Sequence, residues 1–239
     1  LKQVTPYNTQ AGKKKEVEDM FDNIAPKYDL LNHVLSLKID VLWRNTLVKW
    51  MKADQPKQVL DVATGTGDLA LAVQKGTGAH ITGLDLSQQM LNVGIEKIKK
   101  QQLSGEIDMI KGDAEHLPFE DNAFDAACVA FGVRNFENLE KGLAEIRRVL
   151  KEQKSVYILE FSKVEGFMGP LYMFYFKNIL PLIGRLVSKD NRAYTYLPDS
   201  VNAFPFGEKM KQILLNVGYS KVEYKKLSLG IATIYKATK

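Results

Sequence analysis

Apolar positions along the chain change their period several times. Val17, Met20, Phe21 and Ile24 recur at i, i+3, i+4 and i+7, which predicts a helix from Lys13 that Pro26 should end. A second helix is expected from about Asp40, where Trp43, Leu47, Trp50 and Met51 share a face. Residues 1–12 carry no such pattern and read as a loose tail. From Gln58 the pattern shifts to short apolar runs, and strands are expected at 58–62, 81–85, 107–113, 124–131 and 156–161. Helical spacing returns between them: 69–73, then Leu91, Ile95 and Ile98 behind a Ser87 cap, then Leu139, Leu143, Ile146 and Leu150. Five alternations with short links imply an α/β fold, a parallel sheet with helices on both faces.

After Phe161 the regularity breaks. A greasy run occupies 167–187, and a polar-aromatic stretch follows to Phe206. A last helix carries Met210, Ile213, Leu214 and Val217 on one face. Two short strands, 221–227 and 231–236, flank Ser228-Leu229-Gly230 and should close an antiparallel hairpin on the sheet edge, for seven strands in all.

Composition narrows the class. Of 239 residues, 45% are apolar and 26% charged, which suits a globular protein and excludes disordered and collagen-like chains. Lys177, Pro181 and Arg185 make the greasy run a poor membrane span. The single cysteine, Cys128, forms no internal disulfide, and with three histidines it is too little for a closed zinc site, so no metal is expected. The first residues lack the apolar segment of a secretory signal, and the expected location is cytoplasmic. The net charge of +5 permits a nucleic acid, an anionic lipid surface or an acidic ligand and selects none of them.

The sharpest motif is Val59-Leu60-Asp61-Val62-Ala63-Thr64-Gly65-Thr66-Gly67-Asp68-Leu69. A strand runs into glycines and then a helix, and Gly65 and Gly67 let backbone pass close to a ligand. Asp85 ends the second expected strand, placed to accept both hydroxyls of a ribose. Asp113 ends the third. Carboxyl ends of parallel strands face one crevice, so Asp61, Asp85 and Asp113 should meet one ligand. Any one of them alone reads as a helix cap or a solvated turn acid. Gly65-Thr66-Gly67-Asp68-Leu69-Ala70 also fits the loose dinucleotide fingerprint. However, Asp61 suits a ligand amine better than a pyrophosphate, and Asp113 offers an acceptor for an adenine amino group. Acids fit a sulfonium bearing an amino-acid tail and an adenosine, which is S-adenosylmethionine.

Further motifs give the chain a family resemblance. They are Phe21-Asp22-Asn23-Ile24-Ala25-Pro26-Lys27-Tyr28-Asp29-Leu30-Leu31-Asn32, Gly112-Asp113-Ala114-Glu115 before Leu117-Pro118-Phe119, Phe131-Gly132-Val133-Arg134-Asn135, and Arg148-Val149-Leu150-Lys151 before Leu159-Glu160-Phe161-Ser162. From Met20 to its end the sequence resembles the ubiquinone/menaquinone biosynthesis C-methyltransferase family of class I S-adenosylmethionine-dependent methyltransferases. It departs from the family at Glu152-Gln153-Lys154, where Pro-Gly-Gly is usual, at Lys38 and Asp40, and at Ala130, where some members have Ser.

The resemblance implies a Rossmann-like fold, with an N-terminal helical lid over 1–52 and a methyltransferase domain over 53–239 that carries an apolar substrate lid at about 163–206. It implies that Thr66, Asp85, Asp113 and Ala114 contact S-adenosylmethionine, Asp85 at the ribose, with the Asp113 side chain and Ala114 backbone at the adenine. Gly65 and Gly67 would admit the methionine moiety. The acceptor would be a ring carbon of a polyprenylated quinol, either demethylmenaquinol or a ubiquinone-type benzoquinol. A neutral hydroquinol carbon is a weak nucleophile, so the site should favour the phenolate. Arg134 is expected to stabilise that oxyanion, directly or through water, with Asn135 orienting it. Tyr28 and Asp29 are expected to complete the pocket. The plainer alternative pairs Arg134 with Glu137 on a surface and leaves Tyr28 as core. Residues 167–187 read equally as a buried helix pair or as a shelter for a polyprenyl chain touching lipid headgroups. A nucleic-acid base methyltransferase is the rival, but no Pro-Pro-aromatic motif or basic arm supports it. Peripheral membrane contact and a homodimer are both compatible with the chain.

Overall fold

The computed structural model describes residues 4–30, 36, 38–164 and 191–239. The strands are β1 (Gln58–Val62), β2 (His80–Asp85), β3 (Ile107–Lys111), β4 (Phe124–Ala130), β5 (Leu150–Phe161), β6 (Lys221–Leu227) and β7 (Ala232–Thr238). They form one sheet in the order β3-β2-β1-β4-β5-β7-β6. The first five are parallel; β7 runs antiparallel to both β5 and β6. The closing hairpin thus inserts its second strand beside β5 and leaves its first at the edge.

The helices are α1 (Lys13–Ile24), α2 (Ile39–Lys52), α3 (Asp68–Thr77), α4 (Gln88–Lys100), α5 (Leu139–Val149), α6 (Asn191–Ala203) and α7 (Glu208–Asn216). Strand alternation divides the core into two layers. Leu60 and Val62 of β1 pack with Leu143 and Ile146 of α5 and Leu214 of α7. Val59 faces the other way, with Leu47 and Met51 of α2, Leu69 of α3 and Ile98 of α4. Burying a large side chain of this kind stabilises by roughly 1.5–3 kcal/mol, so these rows fix which face each helix covers.

Local chemistry sets the helix starts. The Ser87 hydroxyl accepts from Met90 N at the head of α4, and Asn138 does the same for Lys141 N before α5. Gly67 precedes α3 with φ 78° and Gly78 follows it with φ 73°, the left-handed backbone that glycine adopts without strain.

Three sequence expectations shift. Leu150, placed at the end of a helix by its spacing, begins β5 instead. Phe124 pairs with Leu150 but Ala126 with Ser155, so β5 bulges around Glu152-Gln153-Lys154, with Gln153 at φ 63°. Strand β3 ends at Lys111, two residues before Asp113. Part of the polar-aromatic stretch is a helix, α6, with Pro198 inside it.

Of the expected lid over 1–52, the two helices differ in role. Val17, Met20 and Ile24 of α1 pack with Tyr196 and Val201 of α6, apart from the sheet layers. Helix α2 is built into the second layer, with Leu47 and Met51 fully buried. The greasy run 167–187 lies outside the described residues. Among the described residues no helix is long and apolar enough to cross a membrane.

Candidate active site

The carboxyl ends of β1, β2 and β4 and the turn after β3 surround a cavity of about 710 Å³, its open mouth included. Helix α1 lies over it, contributing Lys14, Val17 and Phe21. This is the crevice that parallel strands leave where successive connections cross to opposite faces.

Four of the expected cofactor residues line it. Gly65 lines it at φ 57°, where a Cβ would stand 3.2 Å from the Met90 methyl. Asp85 lines it as the last residue of β2. Its Oδ2 accepts from Gly65 N and its Oδ1 from Ser87 N, both at 2.8 Å. Burial pushes its carboxyl up to about 6, against the pull of those two N–H groups, with nearby Asp22 adding to the rise. Asp113 and Ala114 line it from the turn after β3, the strand beside β2. Asp113 Oδ1 accepts from Glu115 N at 2.9 Å and its Oδ2 from Lys14 Nζ at 2.7 Å.

Two expected catalytic residues also line the cavity. Asn135 does so from the 3-10 turn Val133–Asn135, and Tyr28 does so edge-on to Phe21, with ring centroids 5.9 Å apart.

Asp61, Thr66, Gly67 and Arg134 are not among its lining residues, for separate reasons. Alternation turns Asp61 under the glycine turn. It is 1% exposed, its Oδ2 accepts from Thr64 Oγ1 at 2.7 Å, and Cys128 Sγ approaches its Oδ1 at 3.5 Å. Burial pushes its carboxyl up to about 7, against the bonds from Thr64 and Cys128. Gly67 faces α4 and Met109. Thr66 turns to the N-terminal segment and donates to Asp29 Oδ1. Lys97 of α4 ties that segment to the turn, donating to Asp29 at 2.8 Å, to Thr66 at 3.1 Å and to Asp68.

Arg134 is 8% exposed at its side chain and pairs with Glu160 of β5, Nη1 to Oε1 at 2.9 Å. Glu137, its expected partner in the plainer alternative, lines the cavity mouth instead. Arg134 Nη1 also donates to the Phe131 carbonyl, and its Cζ stands 5.6 Å from the Phe161 ring centre. The guanidinium thus sits behind the wall that Phe131, Gly132 and Asn135 present to the cavity. Beyond it a second hollow opens between the 3-10 turn and α6.

Sequence reasoning missed four residues that hold this arrangement: Glu160, Tyr196, Lys14 and Lys97. Tyr196 OH donates to Asn135 Oδ1 at 3.1 Å. A signal existed for Glu160, which stands at an apolar position in an otherwise apolar strand. The other three carry no local signal, because each acts across elements distant in sequence.

The profile of the ubiE/COQ5 methyltransferase family matches residues 8–239. A protein of Bacteroides fragilis called demethylmenaquinone methyltransferase is 49% identical over 99% of this chain and 97% of its own length. A Geotalea daltonii protein called ubiquinone/menaquinone biosynthesis C-methyltransferase is 44% identical over 97% of this chain and 98% of its own. In fold, the chain resembles the crystal structure of a SAM-dependent methyltransferase of Thermotoga maritima, with TM-score 0.65 and 18% identity over 92% of this chain and 99% of that one.

Proposed function

Because the chain belongs to the ubiE/COQ5 methyltransferase family, we propose that it methylates a ring carbon of a polyprenylated quinol, converting demethylmenaquinol to menaquinol. The observation that carries this reading is the cavity that Asp85, Asp113 and Asn135 line together, with Asp85 ending β2 and Asp113 two residues beyond the neighbouring β3. Its two carboxylates and glycine backbone fit a cationic adenosine ligand and would repel a pyrophosphate.

When bound, S-adenosylmethionine supplies an electrophilic methyl group for in-line transfer. The Asp85 carboxylate keeps lone pairs free beside its two backbone donors and receives the ribose hydroxyls. Asp113 and the Ala114 backbone receive the adenine edge, and Gly65 leaves room for the methionine moiety. Asp61, Thr66 and Gly67 act one step back, fixing the turn through Thr64, Asp29 and the α4 face respectively.

The acceptor carbon becomes nucleophilic when a quinol hydroxyl loses its proton. Arg134 supplies positive charge behind the Phe131–Asn135 wall, Asn135 orients the acceptor, and Tyr28 closes the pocket from the N-terminal side. Charge held in place before the reaction lowers the barrier without reorganisation during it. Such alignment and charge suffice for methyl transfer.

A substrate with a polyprenyl tail resides in lipid, so the protein meets a membrane surface. Exposed Leu42 on α2 and Leu229 before β7 support this. Their chain neighbours Trp43 and Ser228 are bonded at 2.9 Å, so the two leucines belong to one region.

The test incubates the protein with labelled S-adenosylmethionine and, separately, demethylmenaquinol and the ubiquinone-type benzoquinol. Label on the ring carbon of the first is expected. Transfer to the benzoquinol alone would favour the ubiquinone pathway, and transfer to neither would end the reading.

A further inference from the structure

The end of β5 holds a carboxylate where a hydrophobic residue belongs. Val156 and Ile158 point into the layer formed with α5, and alternation places Glu160 in the same row. Glu160 is completely buried. An unpaired charge there would be prohibitively desolvated, and a well-packed hydrophobic residue would serve stability as well as an ion pair does.

Most of the bonding of Glu160 is directed at one residue. Its Oε1 accepts from Arg134 Nη1 at 2.9 Å, and its Oε2 faces Arg134 N at 3.4 Å. Phe161 N also donates to Oε1, at 2.8 Å, fixing the carboxylate's own plane. One carboxylate therefore grips both the main chain and the side chain of Arg134. Phe131 closes the same corner through its carbonyl, and Phe161 lies under the guanidinium. Among the described residues, Arg134 Nε, buried like the rest, has no hydrogen-bond partner. Its side-chain hold on the corner runs through Nη1, which bonds both Glu160 and the Phe131 carbonyl.

We propose that Glu160 is the positioning residue of Arg134, clamping the guanidinium so that its positive charge stays fixed behind the Phe131–Asn135 wall. The inference rests on the reading of Arg134 as the group that stabilises the oxyanion. Glu160 itself never touches substrate. Its charge also offsets the positive charge of the corner, where Lys13 Nζ donates to Arg134 O and Phe136 O at 2.8 Å and where burial, then the Arg134 charge, push the Lys13 amine down to about 8.

The experiment compares wild type, Glu160→Gln, Glu160→Asp, Arg134→Ala and the Arg134→Ala/Glu160→Gln double variant. It measures kcat, quinol KM and S-adenosylmethionine Kd, with circular dichroism to establish folding. Glu160→Gln is expected to lower kcat by about tenfold or more while the cofactor Kd moves less than about twofold. Glu160→Asp should recover part of that loss, since it keeps the charge and shortens the reach. In the Arg134→Ala background, Glu160→Gln should change kcat by less than about twofold, because a clamp has no effect without the group it clamps. Multiplicative losses in the double variant, or an unchanged kcat in Glu160→Gln, would overturn the clamp. A folded Arg134→Ala enzyme with near-normal kcat would instead overturn the reading of Arg134. If Glu160→Gln does not fold, Glu160→Asp decides alone: a reduced kcat at unchanged cofactor Kd supports the clamp, and an unchanged kcat sinks it.

Discussion

Lys14 Nζ lies 2.7 Å from Asp113 Oδ2, so a lysine of α1 already holds the carboxylate assigned to the adenine edge. The two side chains are 31% and 26% exposed, a setting in which an ion pair contributes about 1 kcal/mol at most. Adenine must share or displace that lysine. Lys14→Ala is therefore expected to tighten S-adenosylmethionine binding, by no more than about fivefold. Asp113→Asn should weaken it. Calorimetric titration of both variants checks the pair, and weaker binding by Lys14→Ala would show the lysine to be part of the site.

Cofactor affinity should depend on pH through Asp85. Its carboxyl is raised to about 6 in the free protein, chiefly by burial. Ribose hydroxyls bond to the ionised form, so binding favours loss of the proton and lowers this value in the complex. Affinity is thus expected to be level above pH 7 and to fall as pH drops through 6. Asp85→Asn should bind weakly at every pH and lose that dependence. A wild-type Kd that stays constant from pH 8 to pH 5 would remove Asp85 from the ribose.

Much of this was readable from residue spacing, for a physical reason. Buried strands and amphipathic helices leave different periods, so Gln58–Val62 and the run ending at Asp85 announce themselves. The glycine turn and the acids beside it stay close in sequence, and Asp85 and Asp113 do face one cavity. What spacing does not carry is pairing across the fold. Nothing near Ala232–Thr238 tells that it enters between β5 and β6. Arg134 finds Glu160 twenty-six residues on because β4 and β5 are neighbours. Thr66 looks like a ligand residue beside two glycines, yet its hydroxyl is taken by Asp29 of a distant segment. The Leu150 boundary failed because one leucine satisfies a helix face and a buried strand equally.

The cofactor turn is braced from behind at Gly94 of α4. A Cβ there would stand 2.5 Å from the Met109 methyl and 3.2 Å from the carbonyl carbon and oxygen of Thr66. The methionine can yield, but the Thr66 backbone moves only with the turn. Alanine gains about 1 kcal/mol of helix propensity, against about 1–3 kcal/mol for overpacking. Gly94→Ala is expected to lower the melting temperature by a few degrees and weaken S-adenosylmethionine binding at least about threefold. Gly105→Ala, with nothing within 4 Å of its new methyl, is the neutral control. Scanning calorimetry and titration report both quantities.

Tyr196 reaches Asn135 from α6. Burial pushes its hydroxyl up to about 12, with Arg134 pulling the other way, so it remains a donor to Asn135 Oδ1 across the working pH range. A neutral hydrogen bond of this kind is worth about 0.5–1.5 kcal/mol, or roughly two- to tenfold in rate if it is needed in the transition state. Tyr196→Phe should lower kcat by that amount and leave cofactor binding alone. Unchanged kcat would mean that Asn135 is oriented by its own backbone turn.

Asp61 makes the opposite kind of claim, about stability. Its carboxyl is raised from an unfolded value near 4 to about 7, first by burial and only partly offset by Thr64 and Cys128. Between those two values the folded chain holds a proton that the unfolded chain has lost. Stability linked to this group is therefore complete below about pH 4, falls as pH rises, and levels off above 7. Asp61→Asn removes the charge and keeps the shape. Its stability relative to wild type should grow over that window, up to about 4 kcal/mol, less the loss from burying an amide N–H₂ that must find an acceptor. The melting-temperature difference, variant minus wild type, is accordingly expected to be more positive at pH 8 than at pH 5. Cofactor binding should suffer less than in Asp85→Asn, because the Asp61 carboxylate is held by Thr64 and Cys128 beneath the turn rather than by the cavity. A variant that is less stable at pH 8 than at pH 5, relative to wild type, would mean that the ionised carboxylate is stabilised in place by its surroundings.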